Sequence, residues 1–470
     1  MEAAAASLSE IDWKDPKRYL WIAGLIVPTI PLIAWATVEL TGFGIFYWFG
    51  PMLVFGVIPF LDAVIGKDDA NPPDDVIKML ENDRYYRICT YLFIPLQYGS
   101  LIFACALWAS GDLSILENIG LALSVAMVSG IAINTAHELG HKRKSLERWL
   151  SKVALAQSFY GHFFIEHNRG HHVRVATPED PASSRFGETF WEFLPRTAVG
   201  SLTSSLHLER ERLDRLGRSF FSLQNDVLNA WAMSVALLVG LIAVFGLEIA
   251  PYLLIQGLVG ASLLELVNYL EHYGLMRQRR PDGRYERCRP EHSWNSNNVA
   301  TNVFLYHLQR HSDHHANPLR RYQALRHFTG LPELPSGYAT MMALAMVPSA
   351  WRRVMDHRVL EHYRGDITLV NIQPRKRDRI LAAYGAPAQP VTPTPGSPRL
   401  TADPATGSDA DAYRCPGCEY TYTVEAGAPR EGFPPGTPWS EIPLAWCCPD
   451  CGVREKPDFA PLSRAVSLAV

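Results

Sequence analysis

Lysine and arginine are missing from three long stretches of this chain, residues 19–66, 88–141 and 219–276. Core helices of soluble proteins rarely run so far without a basic residue. Each stretch therefore reads as two membrane spans joined by a tight turn, at ~20 residues per span. The turns are expected near Thr41–Gly44, Gly111–Ser114 and Glu248–Pro251. Six spans follow, near 19–41, 45–66, 89–110, 115–136, 227–247 and 251–271. A strong charge of either sign is also missing. With 44 Lys+Arg against 47 Asp+Glu the net charge is −3, so nothing points to nucleic acid. The N-terminus lacks the pattern of a cleaved signal, being acidic as well as basic before the apolar run that opens at Tyr19. Disulfide-type cysteine usage is missing as well. Of eight cysteines, Cys89, Cys105 and Cys288 are scattered, whereas Cys415, Cys418, Cys447, Cys448 and Cys451 crowd the end. Paired C-x-x-C spacing there indicates a metal site in a reducing compartment. No flavin or dinucleotide fingerprint occurs, so any electrons the chain consumes must come from another protein.

The basic residues that do occur all fall on one side of the six spans: Lys14 to Arg18, Lys67 to Arg87, Lys142 to Arg218, and everything after Met276. By the positive-inside rule that side is the cytoplasm, with both termini and a polar cap inside. Pro28, Pro31, Pro51, Pro59 and Pro95 lie within spans, where bundles tolerate kinks. Segment 142–218 is polar and reads as loop-rich. Residues 341–350 are too short to span and too apolar for a solvated face, so an interfacial or core position is expected. Residues 385–410 hold six prolines and almost no large apolar side chain. They read as a flexible tether with ends roughly 28 Å apart, able to let a small domain swing.

The cap carries the chemistry. HELGH at 137–141 puts His137 and His141 on one helical face, at the end of the fourth span. EHNRGHH at 166–172 repeats the spacing in His167 and His171, with His172 beside them. HSDHH at 311–315 gives His311, His314 and His315, again one face, and His272 closes the sixth span. Nine neutral imidazoles suffice for two ions of iron, copper or zinc. HELGH also matches the zinc-protease pattern, with Glu138 as base, but such a site needs only one more ligand and leaves the other histidines unused. His162 and His307 could be spare ligands or could support the ligands from behind. His207, His292, His327, His357 and His362 read as ordinary surface or core residues. Neutral ligands leave the metal charge uncancelled, so carboxylates should orient the imidazoles. The candidates are Glu138, Glu166, Glu271 and Asp313, each beside a ligand, and further Asp180 and Glu265.

HELGHK, EHNRGHH, NYLEHYGL and LQRHSDHHA resemble the histidine boxes of the membrane-bound alkane monooxygenases, within the wider membrane desaturase and hydroxylase superfamily. The resemblance spans about residues 15–375. It implies two non-haem iron ions held by His137, His141, His167, His171, His172, His272, His311, His314 and His315. It also implies dioxygen as oxidant and terminal hydroxylation of n-alkanes.

Toward the C-terminus, Cys415, Cys418, Cys448 and Cys451 form two knuckles whose four thiolates suit iron or zinc. The intervening GFPPGTPWSEIP, with Tyr413, Tyr420, Tyr422, Trp439, Trp446 and Phe459, resembles rubredoxin, which implies one iron and one-electron transfer. Glu419 stands where that family usually has Gly, and Cys447 adds a fifth thiol. Residues 411–460 contain eight acids and four bases. Arg277, Arg279, Arg280, Arg284, Arg320 and Arg321 on the cap could steer its docking by complementary charge, or could simply face lipid headgroups.

The expected fold is an all-α polytopic membrane protein, six helices as three hairpins with a cytosolic histidine-rich cap, plus a small rubredoxin-like domain. The expected division is 1–384 hydroxylase, 385–410 linker, 411–462 rubredoxin and 463–470 tail. The expected setting is a bacterial-type inner (plasma) membrane and its lipid. The expected activity is hydroxylation of medium- or long-chain n-alkanes to 1-alkanols with O2, fed by an NAD(P)H-dependent rubredoxin reductase. Tyr47, Trp48 or Leu53 in the first two spans could limit chain length by bulk. A fatty-acid desaturase or xylene-type hydroxylase could use the same site. A zinc-dependent membrane protease with a zinc-ribbon tail is the alternative of another class.

Overall fold

The computed structural model describes residues 13–385 and 410–462, with 282, 411, 419 and 445 excepted. The 385–410 linker falls almost wholly outside them, as do the 463–470 tail and Glu419. Among the described residues, six helices are long and apolar enough to cross a membrane: α1 (Leu20–Thr41), α2 (Gly44–Ile65), α3 (Arg84–Ser110) and α4 (Ile115–Gly140), then α7 (Asp226–Phe245) and α8 (Leu247–His272). Between the fourth and fifth of these lie α5 (Ser145–Ala156) and α6 (Phe190–Arg215).

Local sequence sets the helix ends. The Asp83 carboxylate accepts from the Tyr85 amide at 2.8 Å and starts α3, which is why this helix begins ahead of the expected span. Ser114 and Glu117 form a reciprocal capping box at the start of α4. Asn225 caps α7. The third hairpin turns at Gly246 rather than at Glu248–Pro251, because the chain resumes its helical course at Leu247. Segment 142–218, expected to be loop-rich, contains the 26-residue α6. A Thr189–Glu192 capping box nucleates it despite Pro195.

α4 is the axis of the bundle. Its apolar window is 83% buried, against 22–39% for the other five, so the other spans surround it. It meets α8 along a seam of small residues. A Cβ on Gly130 would lie 3.1 Å from the Gly260 carbonyl oxygen, and one on Gly260 would lie 2.7 Å from Ser129 Oγ. Without side chains at these points the two backbones come close. The ends of α4 and α8 consequently arrive together, carrying His137 and His272. Beyond α8 the chain adds α9 (Val299–Phe304), α10 (His311–Ala316) and α11 (Tyr338–Ala345). α11 covers the first half of the apolar run expected at 341–350 and packs into the main core through Tyr338, Met341 and Met342.

The C-terminal unit has a three-stranded antiparallel sheet of order β2-β1-β3, from β1 (Ala412–Arg414), β2 (Thr421–Thr423) and β3 (Ala460–Pro461). So small a sheet cannot hold itself together. Its core is aromatic: Tyr413, Tyr422, Phe433, Trp439, Trp446 and Phe459 pack on one another, with Tyr413 stacked on Trp439 at 4.3 Å.

Candidate metal centres

The nine histidines gather into two buried clusters. His137, His141, His167, His172 and His314 form one; His171, His272, His311 and His315 form the other. In each, one ligand atom per residue lies within 4.8 Å of every other. The partition departs from the spacing expected of α-helices. His167 and His171 do not share a cluster, because Glu166–His171 is a π-helical turn. Its i→i+5 repeat puts His172, not His171, with His167. α10 likewise lies between the clusters: His311 and His315 serve one and His314 the other. His162 and His307 join neither. His162 packs against Tyr160, and His307 Nδ1 faces the Tyr322 carbonyl at 2.9 Å.

The ring nitrogens converge in a way hydrogen bonding cannot satisfy. Nε2 of His314 lies 2.8 Å from that of His137 and 3.2 Å from that of His172. Nε2 of His167 lies 3.1 Å from that of His172 and 3.0 Å from that of His141. His311 and His315 meet through Nε2 at 2.9 Å. A neutral imidazole nitrogen is either one donor or one acceptor, so one atom cannot serve two such neighbours. Protonation is no remedy. Burial first, and the adjacent imidazoles second, hold His141, His167, His172, His311, His314 and His315 well below the usual histidine range. Converging neutral lone pairs are what a divalent ion requires. The two clusters are consistent with a di-iron centre.

The four cysteines fit one ion. Cys415 Sγ is 3.8 Å from Cys451 Sγ, and Cys418 Sγ is 3.4 Å from Cys448 Sγ. Thiolates ~2.3 Å from a shared tetrahedral ion stand about 3.8 Å apart. Cys447 is outside this cluster. Burial pushes its thiol up to about 12.

Comparison with known proteins agrees with both centres. A fatty acid desaturase family model matches residues 117–345, and a rubredoxin model matches residues 412–459. An alkane 1-monooxygenase of Acinetobacter baylyi is 51% identical over 81% of this chain and 94% of its own length. Alkane 1-monooxygenase 1 of Alcanivorax borkumensis is 47% identical over 79% and 92%. The chain belongs to the alkane 1-monooxygenase family. The xylene/toluene monooxygenase hydroxylase component of Pseudomonas putida is more distant, at 28% identity over 66% of this chain and 81% of its own length.

Within this family member, two of the six candidate carboxylates touch a clustered histidine. Asp180 Oδ2 lies 2.9 Å from His171 Nδ1 and accepts from Ser183 Oγ at 2.6 Å. Burial alone would raise this carboxyl. The His171 and Ser183 contacts overcome it and hold Asp180 well below the carboxylate range. Glu271 Oε2 lies 3.2 Å from His311 Nε2. The other four bond elsewhere. Glu138 pairs with Lys142 at 3.1 Å, Glu166 with Arg174 at 2.8 Å, and Asp313 with Arg320 at 2.7 Å. Glu265 accepts from Tyr160 and Thr197. These bonds brace the segments that present the histidines.

The rubredoxin unit sits directly on the cap. Arg143 pairs with Asp450 at 2.7 Å and also donates to the Cys418 carbonyl. Arg169 pairs with Glu431 at 2.8 Å, Arg284 with Glu455 at 3.1 Å, and Arg287 with Asp458. Arg430 of the rubredoxin reaches Asp226 at 3.2 Å. Of the six arginines singled out in the sequence, Arg284 takes part. Arg277, Arg320 and Arg321 are turned inward, onto the Val173 carbonyl, Asp313 and Glu147. The second knuckle packs, through Gly452, on the turn that carries Asn168 and His172. A Cβ on Gly452 (φ +66°) would lie 3.0 Å from the Asn168 carbonyl oxygen and 3.6 Å from His172 Cβ. A side chain at position 452 would crowd the Asn168 carbonyl and the backbone that carries His172.

A narrow apolar cavity lies below the histidines. Its walls include Val54 and Ile58 of α2, Met127, Gly130 and Asn134 of α4, Leu263 and Val267 of α8, and Leu308 and Met342. Asn134 is one turn before His137, and Leu308 three residues before His311, so the cavity leads toward both clusters. Tyr47, Trp48 and Leu53 do not line it. A π-turn at Leu53–Val57 resets the phase of α2, aiming Val54 and Ile58 inward. Tyr47 is packed in a separate core group, and the Trp48 indole donates to the Leu116 carbonyl. Apart from Gly130, Asn134 and Thr301, the lining residues carry no sequence signal beyond hydrophobicity.

Proposed function

We propose that this chain hydroxylates the terminal carbon of medium- or long-chain n-alkanes with O2, in a bacterial-type inner membrane, with both termini and the cap in the cytoplasm. On this reading residues 1–384 are the hydroxylase, 385–410 the tether, 411–462 the rubredoxin and 463–470 a tail. His137, His141, His167, His172 and His314 hold one iron. His171, His272, His311 and His315 hold the other. Cys415, Cys418, Cys448 and Cys451 hold the rubredoxin iron. An NAD(P)H-dependent rubredoxin reductase supplies the electrons.

The observation that carries the reading is the stack of three parts: an apolar cavity, two all-histidine clusters above it, and a cysteine centre docked above those. An unactivated methyl group offers nothing for an acid, base or nucleophile to act on, so the bound iron pair must supply oxidising power from O2 and two electrons. The chain's own residues do the rest. Asp180 fixes the ring of His171 through Nδ1, leaving Nε2 for metal. Val54, Ile58, Met127 and Val267 hold the alkane by shape alone, lengthwise, so that its end meets the histidines. Orientation rather than polar recognition sets the position of attack. Burial of the clusters excludes bulk water.

The same metal arrangement would suit a xylene-type hydroxylase or a desaturase. Feeding octane or dodecane under labelled dioxygen separates them: a 1-alkanol carrying one labelled oxygen is expected, and an alkene or no alkane oxidation would refute the assignment. The protease reading has little support, since His137 and His141 sit among three further histidines and Glu138 is engaged by Lys142.

A further inference from the structure

Among the described residues, docking leaves one side of the rubredoxin iron site open. The second knuckle, through Gly452, is set against Asn168 and His172. Arg143 touches the near edge of the first knuckle at the Cys418 carbonyl. Yet Pro416 and Gly417, at the tip of that knuckle, remain exposed in the docked unit, as do Arg414 and Ala460 on the paired strands behind them. An open pocket runs over this side, lined by Arg414, Cys415, Gly417, Cys418, Ala460 and Leu462. Among the described residues, none of the hydroxylase lines it.

We propose that this second face is the docking surface for the protein that reduces the rubredoxin, so that electrons enter past the first knuckle and leave past the second without undocking. The inference rests on the reductase reading given above. Two observations support it. Each thiolate pair lies beside a different surface, so the cysteine centre has a separate entrance and exit. Five ion pairs join rubredoxin to cap, between them spanning both sides of the second knuckle. A swinging domain would have to break and remake them for each electron, twice per O2, because the rubredoxin iron carries one electron at a time. In each passage the donor's redox group loses one electron and the ferric rubredoxin iron becomes ferrous. That electron then moves to the histidine centre and the rubredoxin iron returns to ferric.

Stopped-flow absorption of the full-length holoenzyme in detergent tests this. The ferric–thiolate band is followed during reduction by a purified NAD(P)H-dependent rubredoxin reductase. Its return is followed after the reduced protein is mixed with O2 and dodecane. Arg414→Glu and Ala460→Glu are expected to slow reduction at least tenfold and leave the return unchanged. Arg143→Glu is expected to slow the return at least tenfold and leave reduction unchanged. An unaltered ferric band in each variant certifies its fold. If Arg143→Glu slows both steps, or the open-face variants slow neither, one face serves both partners and the proposal fails. If the reductase cannot bleach wild-type protein that dithionite bleaches, the reductase reading itself is lost, and this proposal with it.

Discussion

The two kinds of metal centre in this chain are built on opposite plans. The cysteine centre is local: two C-x-x-C knuckles, 36 residues from first ligand to last, in a unit with its own aromatic core. The histidine centre is distributed. Its ligands run from His137 to His315 and depend on α4, a π-turn, the end of α8 and α10 arriving at one place. A local centre can be lost without disturbing the rest of the chain. A distributed one is inseparable from the bundle that assembles it, and a carboxylate from outside the cluster, Asp180, meets His171 Nδ1 at 2.9 Å. The difference predicts which changes stay confined to one centre and which spread.

The largest effect should come from His311→Ala, which removes a ligand of the four-histidine cluster. Hydroxylation should be abolished while the ferric–thiolate spectrum of the rubredoxin stays unchanged. A lost or shifted spectrum would show that the centres are not separable. The converse, Cys451→Ser, should eliminate that spectrum and reductase-driven turnover, yet leave the two histidine-bound irons in place by metal analysis. Loss of all iron would break the comparison from the other side.

Asp180→Asn should have an intermediate effect. It keeps an acceptor near His171 but removes the charge, and outer partners of this kind are worth about 10–100-fold in metal affinity or activity. Iron retention against a chelator should fall accordingly, with the cysteine iron unaffected. A smaller effect is expected from salt. The cross-domain pairs are mostly half-exposed and each contributes on the order of 0–1 kcal/mol. Raising ionic strength should therefore slow transfer from rubredoxin to the histidine centre several-fold without altering either iron content. The smallest change in total activity, though not in selectivity, should follow Val54→Phe. The added bulk should shift preference toward shorter alkanes in product assays, whereas Trp48→Phe, away from the cavity, should leave the preference as it was.

Sequence reasoning reached far for reasons the two plans make clear. The six spans were legible because a missing class of residue marks a membrane segment more sharply than propensity does. The hairpin turns at Gly42 and Gly111 lie where expected. The cysteine knuckles were legible because their geometry is encoded locally. The histidines were legible as a set but not as two clusters. Adjacent His171 and His172 go to different clusters, as do His314 and His315, and only a π-turn and the placement of α10 decide that. The docking arginines were visible as charge, but their directions were not: Arg284 faces the rubredoxin, while Arg320 and Arg321 hold the cap together. The cavity wall was least legible. Tyr47, Trp48 and Leu53 lie in the span that supplies Val54 and Ile58 without lining this cavity, and the π-turn at Leu53–Val57 leaves no mark in composition.

Metal analysis of the purified chain, read with its visible spectrum, tests the central claim most directly. The account predicts roughly three irons per chain, two at the histidine clusters and one at the cysteines, with a ferric–thiolate band that vanishes in Cys451→Ser and persists in His311→Ala. Zinc at both sites, with no visible band, would contradict it.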